Sequence, residues 1–149
     1  MSRRLLIGLG NPLAGDDGFG PAVVARLQQQ GLPGDVEVVA SCTDLLGRID
    51  AFADCEAVVL VDAVVEGKDP PGTVAAVEES TLLGWEARST SAHRLSPVEA
   101  LRVFRALAPE AATRISLVAL HTEDVGAKPV HARGDTVDEG ARLVRALLS

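Results

Sequence analysis

Ala57-Val58-Val59-Leu60-Val61-Asp62 decides the fold. Five aliphatic residues run without a polar break and then meet a carboxylate. Apolar and polar positions do not alternate, so both faces of this strand are expected to be covered, as in a parallel sheet with helices on either side. Arg4-Leu5-Leu6-Ile7-Gly8-Leu9-Gly10 has the same character and is stopped by Asn11-Pro12. Val36–Ala40, Thr73–Val77 and Ile115–Leu120 supply three further strands, the second of them after the hard turn Pro70-Pro71-Gly72.

Helical periodicity fills the intervals. From Gly20 to Gln30, Val23, Val24 and Leu27 fall on one side and Arg26, Gln29 and Gln30 on the other, with Gly31 and Pro33 as the stop. Leu45 to Phe52 predicts a short helix that Thr43 or Asp44 caps. Ser96-Pro97-Val98-Glu99 is a capping box with proline at the first helical position, followed by the stripe Leu101, Phe104 and Ala108. Asp135 to Leu148 closes the chain, with Val137, Ala141, Val144 and Leu148 at helical spacing. The expected architecture is a single α/β domain over 1–149, a three-layer, mostly parallel twisted sheet with helices on both faces. Ligands of such sheets bind beyond the carboxyl ends of the strands, where the strand order reverses.

Composition narrows the class. The 149 residues are 47% apolar and 23% charged, and 14 basic against 21 acidic side chains give a net charge of −7 with no run of Lys or Arg. That argues against a nucleic-acid partner. The apolar run Leu5 to Leu9 behind Met1-Ser2-Arg3-Arg4 is too short for a signal-peptide core, and no stretch approaches the ~18–20 apolar residues of a membrane span. Cys42 and Cys55 show no metal-binding spacing and read as packing residues in a reducing compartment. The expectation is a soluble, cytoplasmic protein without membrane insertion.

Three polar positions stand near predicted strand ends. In Gly8-Leu9-Gly10-Asn11-Pro12-Leu13-Ala14-Gly15-Asp16-Asp17-Gly18-Phe19-Gly20, glycines bracket two adjacent acids. The plain reading is a helix-start loop in which one acid caps the helix. A dinucleotide loop fits worse, because GxGxxG needs glycine at Leu13 and acids near a helix start repel a pyrophosphate. Asp62 is the second position, either a cap for the following loop or a carboxylate held for a cation. The third is His93 in Ser89-Thr90-Ser91-Ala92-His93-Arg94-Leu95, on plain reading an ordinary surface histidine. His121, after the strand ending at Leu120, and His131 have the same status. If Asp17, Asp62 and His93 share one end of the sheet, two oxygens and an imidazole nitrogen form an open set suited to nickel or zinc.

Gly8-Leu9-Gly10-Asn11-Pro12-x-x-x-Asp16-Asp17-Gly18-x-Gly20 resembles the opening motif of the [NiFe] hydrogenase maturation proteases. Val59-Leu60-Val61-Asp62-Ala63-Val64 is similar to the family's second motif, Pro71-Gly72-Thr73 to the turn after it, and Ser91-Ala92-His93-Arg94-Leu95 to the third. The resemblance implies an endopeptidase that trims the C-terminus of a hydrogenase large-subunit precursor. It implies that Asp17, Asp62 and His93 recognise nickel that the precursor carries, rather than a metal the protein holds permanently. The chain departs from the family pattern at Ala40-Ser41-Cys42-Thr43, where relatives often have Asp-Gly-Gly-Thr, and at His121-Thr122-Glu123-Asp124. Both departures bear on substrate fit. Two other readings remain open at this point: a non-catalytic chaperone that checks nickel loading, and a small-ligand-binding α/β module built on Gly8-x-Gly10.

Overall fold

A computed structural model describes residues 3–65, 68–85, 96–123 and 129–149. Its centre is a five-stranded sheet of β1 (Arg4–Leu9), β2 (Val36–Cys42), β3 (Ala57–Val64), β4 (Val74–Glu78) and β5 (Arg114–His121), in the order β2-β1-β3-β5-β4. The β1·β2, β1·β3 and β3·β5 pairs are parallel, and only the edge strand β4 runs antiparallel, against β5. Helices α1 (Phe19–Gln30), α2 (Glu79–Leu83), α3 (Pro97–Leu107) and α4 (Gly134–Leu148) cover the faces, with 3-10 turns at Gly15–Gly18 and Leu46–Asp54.

The pleat sorts the side chains into two cores. Leu6, Val59, Val61, Ala63, Val118 and Leu120 point toward α1 and α4, where Phe19, Val23, Leu27, Ala141 and Val144 meet them. Leu5, Ile7, Val58, Leu60, Val64, Leu117 and Ala119 point the other way, onto Ile49, Phe52, Leu82, Leu101 and Phe104. All eight residues of β3 are buried, as a strand covered on both faces requires.

Caps follow the chemistry of the sequence. Ser96 Oγ accepts the Glu99 amide at 3.2 Å, and Pro97 occupies the first turn of α3. Gly31 closes α1 with φ 92°. Several boundaries differ from those expected. β2 runs on to Cys42, which pairs with Leu9 and so lies in the sheet rather than in a loop. The 46–54 segment is 3-10 rather than α, and its N-cap is Leu45, with Asp44 Oδ1 accepting the Gly47 amide at 3.2 Å from one position earlier. The short helix α2 was not expected: its five residues form a single turn, too short to show a helical period. β3 does not end on Asp62 but continues two residues beyond it, held by ladder pairing of Asp62 with Ala119 and Val64 with His121.

Candidate functional site

The chain leaves β1 toward β2 on one side and returns to β3 on the other, so the strand order reverses at β1. The crevice between the carboxyl ends of β1 and β3 is therefore the expected ligand position. What fills its floor is protein. A Cβ on Gly20 would lie 2.4 Å from the carbonyl oxygens of both Leu9 and Val61, and one on Gly8 would lie 2.8 Å from that of Ala40. These glycines seat α1 on the strands, and that close packing is what the Gly8-x-Gly10 pattern serves. Gly10 has φ 121°, a conformation that side chains disfavour, and its missing Cβ leaves room for the Asp17 carbonyl.

The two adjacent acids face different ways. A 3-10 helix has three residues per turn, so consecutive side chains diverge by about 120°. Asp16 is fully buried: its Oδ1 accepts the amides of Val130, His131 and Ala132 at 2.9, 2.9 and 2.8 Å, and its Oδ2 accepts the Thr122 hydroxyl at 3.0 Å. Burial alone would raise its carboxyl pKa, but the three amides and the hydroxyl outweigh that and hold it below the ordinary carboxylate value. Asp17 is half-buried and its Oδ2 accepts the Asn11 amide at 2.8 Å. Asn11 Oδ1 in turn accepts the Leu13 amide at 2.9 Å, which fixes the turn leading out of β1.

Asp62 is 2% exposed. It shares the parity of Val58, Leu60 and Val64 and therefore faces the side of the sheet that carries α3. Asp17 and Asp62 thus come from the carboxyl ends of the adjacent strands β1 and β3. The third expected residue, His93, lies outside the described residues. Among the described residues no three His, Cys, Asp or Glu side chains group as a metal-binding cluster.

His121 ends β5 on the same face as Asp62, two ladder pairs further along, and is 3% exposed. Its Nε2 lies 3.3 Å from Asp69 Oδ2, and its ring meets Trp85 edge-on with 5.9 Å between centroids. It is a packed residue of the sheet end and not a surface histidine. His131 pairs with Glu123 at 3.2 Å. Both cysteines are buried thiols. Cys55 Sγ donates to the Ala51 carbonyl at 3.3 Å, and burial pushes its thiol pKa up, the opposite of an activated nucleophile.

The sequence argument did not single out Asp16. Its four partners lie 106 to 116 positions away, so no local pattern reveals which of two neighbouring acids turns inward.

Two carboxylates near the carboxyl ends of adjacent parallel strands make the topological switch point of this α/β sheet the candidate site. The chain belongs to the hydrogenase maturation protease (HycI) family, whose model matches residues 21–132. That match includes Asp62 and His93 and begins after Asp17. A protein of Methanocaldococcus jannaschii named as a hydrogenase maturation protease is 34% identical over 95 residues, 61% of this chain and 60% of that protein. The hydrogenase 2 maturation protease of Escherichia coli is 28% identical over 104 residues, 69% of this chain and 63% of that protein. The matched stretches thus span about three-fifths of the length of these two relatives. The hydrogenase maturating endopeptidase HybD of E. coli shares the fold, with TM-score 0.76 at 23% identity over 98% of this chain and 91% of that one.

Proposed function

We propose that the chain is an endopeptidase that removes the C-terminal peptide of a nickel-loaded [NiFe] hydrogenase large-subunit precursor, recognising the nickel through Asp17, Asp62 and His93. The observation that carries this reading is Asp62, a carboxylate 2% exposed inside an apolar strand at the switch point. A carboxylate set among the aliphatic residues of β3 adds little to an apolar core, and its place beside the switch point favours a binding role. Membership of the hydrogenase maturation protease family supports nickel as the ion.

Two carboxylates and one imidazole form an open set for a borderline divalent ion. An open set suits nickel that arrives with the precursor, because a tight resident metal could not tell a loaded precursor from an empty one. Asp17, Asp62 and His93 would hold the precursor's nickel, which would supply Lewis-acid chemistry there. Two buried thiols and the absence, among the described residues, of any helix long and apolar enough to cross a membrane fit action in the cytoplasm.

The test is mass spectrometry of nickel-loaded precursor after incubation with Asp17→Ala, Asp62→Ala and His93→Ala proteins, each checked for fold by circular dichroism. Each substitution is expected to slow loss of the peptide at least about 100-fold, the cost of about 2.7 kcal/mol in the transition state. Ordinary cleavage by all three would refute the assignment. A nickel-dependent complex that never loses its tail would identify a chaperone instead.

A further inference from the structure

Thr122 follows the last residue of β5, and Val130 to Ala132 lead into α4. One carboxylate holds both: Asp16 Oδ2 takes the Thr122 hydroxyl, and Asp16 Oδ1 takes three consecutive amides, Val130, His131 and Ala132. The two stems of the β5–α4 connection are therefore clamped to each other and to the 3-10 turn Gly15–Gly18. Thr136 strengthens the clamp by donating to the His131 carbonyl and accepting the Arg133 amide at the start of α4.

The turn carries Asp17 on its other side. With Asp16 pinned inward at four points, the diverging geometry of a 3-10 turn leaves Asp17 one direction, and the Asn11 amide holds its Oδ2 there. We propose that Asp16 is the positioning residue of the site: it aims the Asp17 carboxylate by tying the turn that carries it to Thr122 and to Val130, His131 and Ala132. The aim of Asp17 at nickel rests on the function proposed above; the clamp itself does not. Thr122 belongs to His121-Thr122-Glu123-Asp124, which departs from the family pattern, so Asp16 ties one residue of that departure to the shared motif.

Two readouts separate positioning from mere support. The first is amide exchange by NMR in wild type, Asp16→Ala and Asp16→Asn. Loss of the clamp alone exposes the amides of Val130, His131 and Ala132. Loss of aim also frees the Asn11 amide, which donates to Asp17 Oδ2 and not to Asp16. We expect exchange at Asn11 to rise at least about 10-fold in Asp16→Ala and less in Asp16→Asn, whose amide oxygen can still accept while its NH2 turns to Thr122. Unchanged exchange at Asn11 in a folded variant overturns the proposal. If Asp16→Ala does not fold, Asp16→Asn decides alone.

The second readout is cleavage of nickel-loaded precursor, where kcat is expected to fall at least about 10-fold with KM changed less than about threefold, and Asn again intermediate. Unchanged kcat in a folded variant beside an active wild type overturns positioning. A wild type that does not cleave refutes the proposed function, and the Asn11 amide then decides on Asp16 by itself.

Discussion

At the scale of the residue, Asp16 and Asp17 show how little separates a structural carboxylate from one proposed to bind. They are neighbours of identical chemistry, and the backbone turn alone sends one into a nest of amides and leaves the other half in solvent. Each hydrogen bond to a charged group contributes about 1.5–3 kcal/mol, so four of them make Asp16 a principal tie between the first and last thirds of the chain. Its folded pKa lies below the ordinary value, and an unfolded carboxyl titrates near pH 4. The stabilisation is thus complete above about pH 4 and is lost as pH falls through the lower, folded value. Urea unfolding across the acid range should show stability dropping with pH in wild type and a flatter profile in Asp16→Asn. An equal slope in both proteins would mean that other groups govern acid unfolding. The cysteines and His121 belong at this scale too. Their residue types invite chemistry, and their surroundings assign Cys55 to packing and His121 to the sheet end beside Trp85 and Asp69.

At the scale of the element, α1 and the strands beneath it depend on Gly20. An added Cβ would meet backbone on both sides, at 2.4 Å from two carbonyl oxygens, and backbone cannot turn away as a flexible side chain can. Gly20→Ala is therefore expected to cost at least about 2 kcal/mol, seen as a lower urea midpoint with the slope unchanged. A midpoint equal to wild type would show that α1 rides less closely on β1 and β3 than described. The main elements themselves were legible, because both-face burial and helical stripes are written in local pattern: β3, the Ser96 cap and the Val137-Ala141-Val144-Leu148 stripe all stand where the residues put them. Their ends were not. Asp62 stops a hydropathy run, but the strand is held by its ladder to β5, and a charged residue keeps its ladder bonds like any other. Cys42 was missed as a strand residue for the same reason, its place being set by Leu9 across the sheet.

At the scale of the whole molecule, strand order turns a list of polar residues into a site. Placing β1 between β2 and β3 brings the Asp16-Asp17 turn and Asp62 to neighbouring strand ends, although 45 positions separate Asp17 from Asp62. Hydropathy could announce a three-layer α/β fold but not the antiparallel β4 or the face on which Asp62 falls, since both depend on pairing between distant segments. That Asp17 and Asp62 stand near the ends of adjacent strands was legible through the shared motifs, whereas the clamp on Asp16 was not, because its partners carry no motif of their own. The central claim is that nickel in the precursor licenses the cut. The most direct measurement is intact-mass analysis of one large-subunit precursor, nickel-loaded and nickel-free, after incubation with this protein. The account predicts loss of a single C-terminal peptide from the loaded form and none from the empty form. Equal trimming of both would contradict it.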